Sequence, residues 1–121
     1  LRIGEPGYFA DSLSFMRSAI GQQALSMAAK SNTVIGAVLT NAKLTKNETN
    51  KLAQCAHNGL ALTIRPAHTM FDGDTIFALA SNKKGANIHT LSAHVPIVVA
   101  QAILNAINFA ESVPNIPARQ L

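Results

Sequence analysis

Apolar residues recur along the chain at two different spacings, and these predict alternating helices and strands. Residues 33–41 and 74–80 are short, apolar and rich in β-branched side chains, which is typical of buried strands. Helical spacing of apolar residues recurs three times. The three predicted helices run from Asp11 or Ser12 to about Lys30, from 45 to 64 and from 94 to 112. The order strand, helix, strand, helix after residue 32 predicts an α/β fold in which helices cover the strands.

Polar residues and prolines define the ends of these elements. Thr45 and Glu48 have the spacing of a capping box, in which each side chain accepts from an amide at the start of a helix. The same helix must end before Pro66, since the residue before a proline disfavours the helical conformation. Pro96 suits a first helical turn, so we expect the last helix to begin at or shortly before it. Residues 81–87 are predicted to form a turn.

The composition combines little charge with many aliphatic residues. Apolar residues make up 48% of the chain and charged residues 13%, which favours burial of much of its surface against partner chains. The net charge of +4 is spread along the chain and forms no basic stripe between aromatic residues, so we expect no nucleic-acid partner. Cys55 allows no internal disulfide and fits a reducing compartment. Together with His57 on the same predicted helix, it is interpreted as an ordinary, partly buried residue.

The most hydrophobic run, residues 95–110, contains a proline and three polar residues. We expect it to be too short to span a membrane, which requires roughly 20 apolar residues. The first residues contain no apolar core of a signal peptide. These features predict a cytoplasmic protein without a membrane partner.

A hydroxyl residue stands at the start of the first predicted strand, where Asn32 precedes Thr33. If the bond between these two residues is cut, Thr33 has a free α-amine beside its own hydroxyl. The amine has an ordinary pKa near ~8, so it can act as the base that activates the hydroxyl. Taken alone, the pattern is more typical of a strand that simply begins with threonine, a good β former.

Two carboxylates lie two residues apart just before the second predicted strand. On an extended backbone residues i and i+2 face the same side, so Asp72 and Asp74 can act together. Paired acids can share a proton with a nearby hydroxyl or amine. Taken alone, Asp72-Gly73-Asp74 is more typical of a turn. A calcium loop is not favoured, because the EF-hand pattern of oxygen ligands is absent from the sequence.

Together, these stretches resemble the L-aminopeptidase/D-esterase family of self-processing N-terminal-nucleophile hydrolases, which includes the β-aminopeptidases. The resemblance runs from about Asn32 to Ala80 and keeps the order and spacing of the asparagine-threonine pair, the capped helix and the segment from His68 to Asp74. The nylon-oligomer (6-aminohexanoate-oligomer) hydrolases are the most similar members, with Asn-Thr at the cleavage point and Asp-x-Asp downstream. Ser31 departs from the pattern, where glycine is expected.

The resemblance implies that the chain is the C-terminal part of a layered αββα sandwich. Residues 1–32 would be the end of the α portion and 33–121 the β portion, separated by self-cleavage between Asn32 and Thr33. Thr33 matches the nucleophile, and Asp72 and Asp74 match the pair that supports it. Most of the family's α portion, with the Asn and the Lys or Tyr that help to stabilise the oxyanion, has no counterpart in this sequence.

The implied function is hydrolysis of linear amides by an N-terminal threonine, as in an aminopeptidase or an amide-oligomer hydrolase. No metal or organic cofactor is implied. The implied partners are the α portion of the same precursor, further copies of the protein in a homo-oligomer, and a small linear amide or peptide substrate. Two alternatives stay open: a non-catalytic structural or interaction subunit of the same fold, and an acyltransferase that passes the acyl group to an amine instead of water.

Overall fold

A computed structural model describes residues 11–27 and 33–118 of the chain. The elements in chain order are α1 (Ser12–Arg17), α2 (Ala19–Met27), β1 (Ile35–Ala42), α3 (Lys46–Thr63), β2 (Thr75–Lys84) and α4 (Ile88–Asn108). The strands β1 and β2 pair in parallel and are connected through α3, as parallel neighbours require. The predicted α/β class and the alternation of strand and helix are therefore confirmed.

The helix α3 forms where the sequence predicts it, because both of its ends are specified locally. Thr45 caps its start: the Thr45 hydroxyl oxygen accepts from the Glu48 N–H, and the Glu48 carboxylate accepts from the Thr45 N–H at 2.8 Å. The Thr45 N–H and the Thr45 hydroxyl both donate to the Glu48 carboxylate, and these two hydrogen bonds hold the pKa of Glu48 below its ordinary value. The helix ends at Thr63, three residues before Pro66, as the restriction on the residue before a proline requires.

The sheet register is regular over six residue pairs and then shifts. At the shift, Asn82 of β2 has a φ of 57° and its side-chain oxygen accepts from the Leu44 N–H at 2.9 Å. This irregularity lets β2 continue to Lys84. The predicted turn at 81–87 was therefore wrong over its first four residues.

The core lies between one face of the sheet and α3, with α4 packed against α3. Side chains alternate along β1 and along β2 as far as Ser81, so that one face is covered and the other is exposed. Among residues 11–27 and 33–118, seven hydrophobic side chains are buried: Ala42, Leu44, Leu52, Ala56, Leu60, Ile76 and Val95. Cys55 is partly buried and packs against this cluster, as predicted for a residue on this helix.

The N-terminal helix is not continuous over the part that the structure describes. Ser18 adopts an extended conformation and ends α1, and its hydroxyl oxygen accepts from the Gly21 N–H at 3.0 Å in α2. A Cβ atom on Gly21 would collide with the Phe15 carbonyl. The prediction of one helix from residue 11 to about residue 30 was wrong, because Ser18 separates two short helices. The last three residues of the predicted helix, 28–30, lie outside the described residues.

The last helix begins earlier than predicted. The Asn87 side chain accepts from the His89 N–H at 2.8 Å and caps α4, so Pro96 lies inside the helix rather than in its first turn. The helix also ends at Asn108, four residues before the predicted end at Ser112. Because Pro96 has no N–H, it donates no hydrogen bond to the preceding turn.

With its earlier start, α4 has 21 residues and is long and apolar enough to cross a membrane, by length and composition only. The length argument that residues 95–110 are too short for a span was therefore wrong. A mostly buried core helix of a soluble protein passes the same test, but only 6% of the most apolar stretch of α4 is buried. The helix contacts the core through Val95 and Val99. The predictions of a cytoplasmic location and of no membrane partner stay predictions.

Gly59 is expected to be essential for the close packing of α3 on α4. A Cβ atom at Gly59 would lie 2.6 Å from the Val99 Cβ and 2.7 Å from the Pro96 carbonyl oxygen, and neither atom belongs to a flexible side-chain end. Replacing Gly59 with alanine should therefore force the helices apart and lower the free energy of unfolding by about 1–3 kcal/mol. This value is the net effect, after subtracting the roughly 1 kcal/mol by which alanine stabilises a helix relative to glycine.

Urea unfolding of Gly59→Ala measures this loss. Gly85→Ala is the matched control, since no atom lies within 4 Å of the Cβ position at Gly85. Equal stability of the two variants would contradict the close packing at Gly59.

Candidate active site

Thr33 lies two residues before β1, at the edge of the sheet where both parallel strands begin. Its side chain is exposed. The backbone is already anchored one residue later, because the Thr75 N–H donates to the Val34 carbonyl oxygen at 2.9 Å. The sheet therefore fixes the backbone below Thr33 while the hydroxyl stays open to solvent.

Asp74 links the two strand starts. Its Oδ1 accepts from the Val34 N–H at 2.9 Å, across 40 residues of sequence. That N–H belongs to the peptide unit that follows Thr33, so a half-buried carboxylate lies beside the backbone of the proposed nucleophile. A negative charge there can stabilise a positive charge that forms on a nearby amine.

Asp72 has a different partner. Its Oδ2 accepts from the Thr69 N–H at 2.6 Å, and its own N–H donates to the Thr69 carbonyl oxygen at 3.2 Å. These two hydrogen bonds close the loop before β2. The structure thus gives Asp72 the turn contact that an Asp-Gly pair predicts, and places Asp74 rather than Asp72 against the segment that carries Thr33.

Gly73 lies between the two carboxylates and directly against the Thr33 side chain. A Cβ atom at this position would be 2.8 Å from the Thr33 Oγ1 and 3.8 Å from the Thr33 Cβ. Neither Gly73 nor Thr69 was singled out from the sequence. The signal for Gly73 is the strand register: Ile35 pairs with Thr75, which puts residue 73 next to residue 33.

A family model gives this arrangement a context. The model of Peptidase family S58 matches residues 8–120. This chain belongs to that peptidase family. The match confirms the resemblance that was drawn from the residues between Asn32 and Ala80.

Individual relatives of this S58 peptidase-family chain carry related names. An uncharacterized aminopeptidase of Mycobacterium leprae is 42% identical over 71% of this chain and 28% of its own length. An uncharacterized aminopeptidase of Mycobacterium tuberculosis is 54% identical over 41% of this chain and 14% of its own length. A 6-aminohexanoate-oligomer endohydrolase of Agromyces sp. is 33% identical over 55% of this chain and 19% of its own length. The chain therefore spans less than a third of the length of each of these relatives.

The candidate site of the S58 peptidase-family chain is open on the described surface. Met70 is fully exposed and Phe71 is 48% exposed in the loop before the carboxylates. Two large apolar side chains beside a polar site are suited to contact an apolar part of a substrate or a covering segment. Within residues 11–27 and 33–118, no group of three or more His, Cys, Asp or Glu residues could hold a metal ion.

Asn32, the predicted residue before the cleavage point, lies outside the described residues, as does Ser31. His57 of α3 is half-buried, and its ring lies 5.8 Å from that of His68 in the loop before β2. The contact joins α3 to the loop, and we assign it no role in the chemistry.

Proposed function

We propose that this chain carries the nucleophile of a self-cleaving amide hydrolase, with Thr33 as the nucleophile after cleavage of the bond between Asn32 and Thr33. The observation that carries the proposal is the hydrogen bond from the Val34 N–H to Asp74. It is supported by the position of the Thr33 Oγ1, which lies 2.8 Å from where a Cβ atom on Gly73 would be. The names of the relatives support amide chemistry: one is called an endohydrolase of 6-aminohexanoate oligomers and others aminopeptidases.

In the first reaction, the Thr33 Oγ1 attacks the carbonyl carbon of Asn32. The peptide C–N bond breaks, and the acyl group moves from the Thr33 nitrogen to its oxygen as an ester. Water then hydrolyses the ester, leaving a carboxylate on Asn32 and a free amine on Thr33.

In turnover, the free amine takes the proton from its own hydroxyl as the oxygen attacks the substrate amide. The resulting ammonium gives this proton to the leaving amine, and water hydrolyses the acyl-enzyme ester. Asp74 would stabilise the ammonium, because its carboxylate lies beside the backbone of Thr33 and Val34. Asp72 would support this arrangement by fixing the loop at Thr69.

The exposed face of the sheet supports the finer fold proposal, an αββα sandwich divided into portions 1–32 and 33–121. Four apolar side chains on this face are more than half exposed: Ile35, Leu39, Phe77 and Leu79. A sheet covered by helices on one face and apolar on the other is suited to pack against a second sheet. We propose that the α portion of the precursor supplies this layer and that copies of the protein assemble through other apolar surfaces, such as the exposed side of α4.

The decisive experiment is an intact-mass measurement of the purified protein, expressed with all the sequence that its gene encodes. We expect two fragments, of which the C-terminal one begins with Thr33-Val34-Ile35. N-terminal sequencing of that fragment checks the position of the cut. A single uncut chain, in protein that is folded, would favour the non-catalytic subunit instead.

A further inference from the structure

We propose that Gly73 is a positioning residue that sets the rotamer of the Thr33 hydroxyl. This inference rests on the proposed function of Thr33 and adds to it the group that holds the reacting oxygen in place. It starts from the space at Gly73: a Cβ atom would lie 2.8 Å from the Thr33 Oγ1, closer than real Cβ atoms approach such an oxygen. Because glycine has no side chain, the Thr33 Oγ1 can occupy the space that a Cβ atom would otherwise fill.

The backbone of Gly73 is held on both sides, so it is not free to move away from Thr33. Before it, Asp72 is bonded to Thr69. After it, Asp74 accepts from the Val34 N–H at 2.9 Å. The Gly73 carbonyl oxygen also accepts from the Thr75 hydroxyl at 3.3 Å. These contacts tie residues 72–75 to the loop and to the start of β1.

The Thr33 side chain is the part of this contact that can yield. It is exposed and turns about a single bond between staggered rotamers. Only its Oγ1 is too close to a Cβ at residue 73, because the Thr33 Cβ and Cγ2 would both be 3.8 Å away, at ordinary contact distance. An alanine at residue 73 would therefore turn the hydroxyl away by roughly 2 Å, the distance between rotamer positions, with little disturbance of the fold.

The test is Gly73→Ala in protein expressed with all the sequence that its gene encodes. We expect both the rate of self-cleavage and kcat on a linear amide to fall by about 10²-fold, the scale on which a misplaced reacting group slows an enzyme. KM should change by no more than about threefold, since Gly73 is proposed to act on the nucleophile and not on substrate binding. Gly85→Ala, whose Cβ position has no atom within 4 Å, is the matched control and should keep wild-type rates.

A double-mutant cycle on thermal stability tests the contact without using activity. Thr33→Ala removes the Oγ1, so any loss of Tm that Gly73→Ala causes should disappear in the Thr33→Ala background. If Gly73→Ala alone fails to fold, the double variant should fold. A loss of Tm or of folding that persists without the hydroxyl would overturn the inference, as would a wild-type kcat in Gly73→Ala.

Failure of the inference and failure of the proposed function are distinguishable. If Thr33→Ala keeps its amidase activity, the proposed function fails, whatever Gly73→Ala does. If Thr33→Ala is inactive but Gly73→Ala is as fast as the wild type, Thr33 remains the nucleophile and only the role of Gly73 is lost.

Discussion

Replacing Thr33 with alanine is expected to leave the protein as a single uncut chain and to lower its amidase activity by at least ~10⁴-fold, the scale of losing a nucleophile. The reason is that one oxygen performs both reactions: it attacks the Asn32 carbonyl during processing and the substrate carbonyl during turnover. Thr33 is exposed and its Cβ would lie 3.8 Å from any Cβ at residue 73, so the substitution leaves no buried cavity. The fold should therefore be kept.

Thr33→Ser is the matched variant for this prediction. Serine keeps the hydroxyl and loses only a methyl group, so the protein should still divide into two chains. Mass spectrometry of the wild type and the two variants, purified in parallel, gives the comparison. Cleavage of Thr33→Ala at the same bond would show that another protease cuts the chain, and the nucleophile would then have to be sought elsewhere.

The sequence predicted the parts of the fold that are specified by near neighbours. The capping box at Thr45 and the stop before Pro66 involve residues three or fewer positions apart, and both ends of α3 are where they were expected. The errors arose where two local signals compete. Ser18 divides the first helix. The Asn87 cap starts α4 at Ile88, eight residues before Pro96, although Pro96 favours the first turn of a helix.

The candidate site could be predicted in composition but not in its contacts. The resemblance matched Asp72 and Asp74 to the pair that supports Thr33. The structure places Asp74 beside Thr33 because both parallel strands begin at the same edge of the sheet. The two carboxylates differ in their hydrogen-bond donors: the Thr69 N–H in the loop donates to Asp72, while the Val34 N–H donates to Asp74. The sequence pattern does not define the loop conformation that produces this difference. The contact of Gly73 with Thr33 depends on a register that only the paired strands define.

Replacing Asp74 with asparagine is expected to lower kcat on a linear amide by about 10²-fold, the usual scale for losing a positioned charged group. Asparagine has the same shape and its side-chain oxygen can still accept from the Val34 N–H, so the loop and β1 should stay in place. The negative charge is what disappears, and with it the stabilisation of the ammonium that forms on Thr33. KM should change little, because Asp74 acts on the nucleophile and not on the substrate.

Asp72→Asn is the matched control. Asp72 and Asp74 flank Gly73 on opposite sides, and both substitutions replace a carboxylate with a neutral amide. Its side-chain oxygen can still accept from the Thr69 N–H, which keeps the turn. We expect the loss of kcat in Asp74→Asn to be at least tenfold larger than in Asp72→Asn, because the hydrogen bond of Asp74 reaches the peptide unit after Thr33 while that of Asp72 stays within its own loop. Steady-state kinetics of the two cleaved variants, with thermal unfolding to confirm equal folding, make the comparison. Equal losses would show that the carboxylates act as one coupled pair, and wild-type kcat in both would reduce them to turn residues.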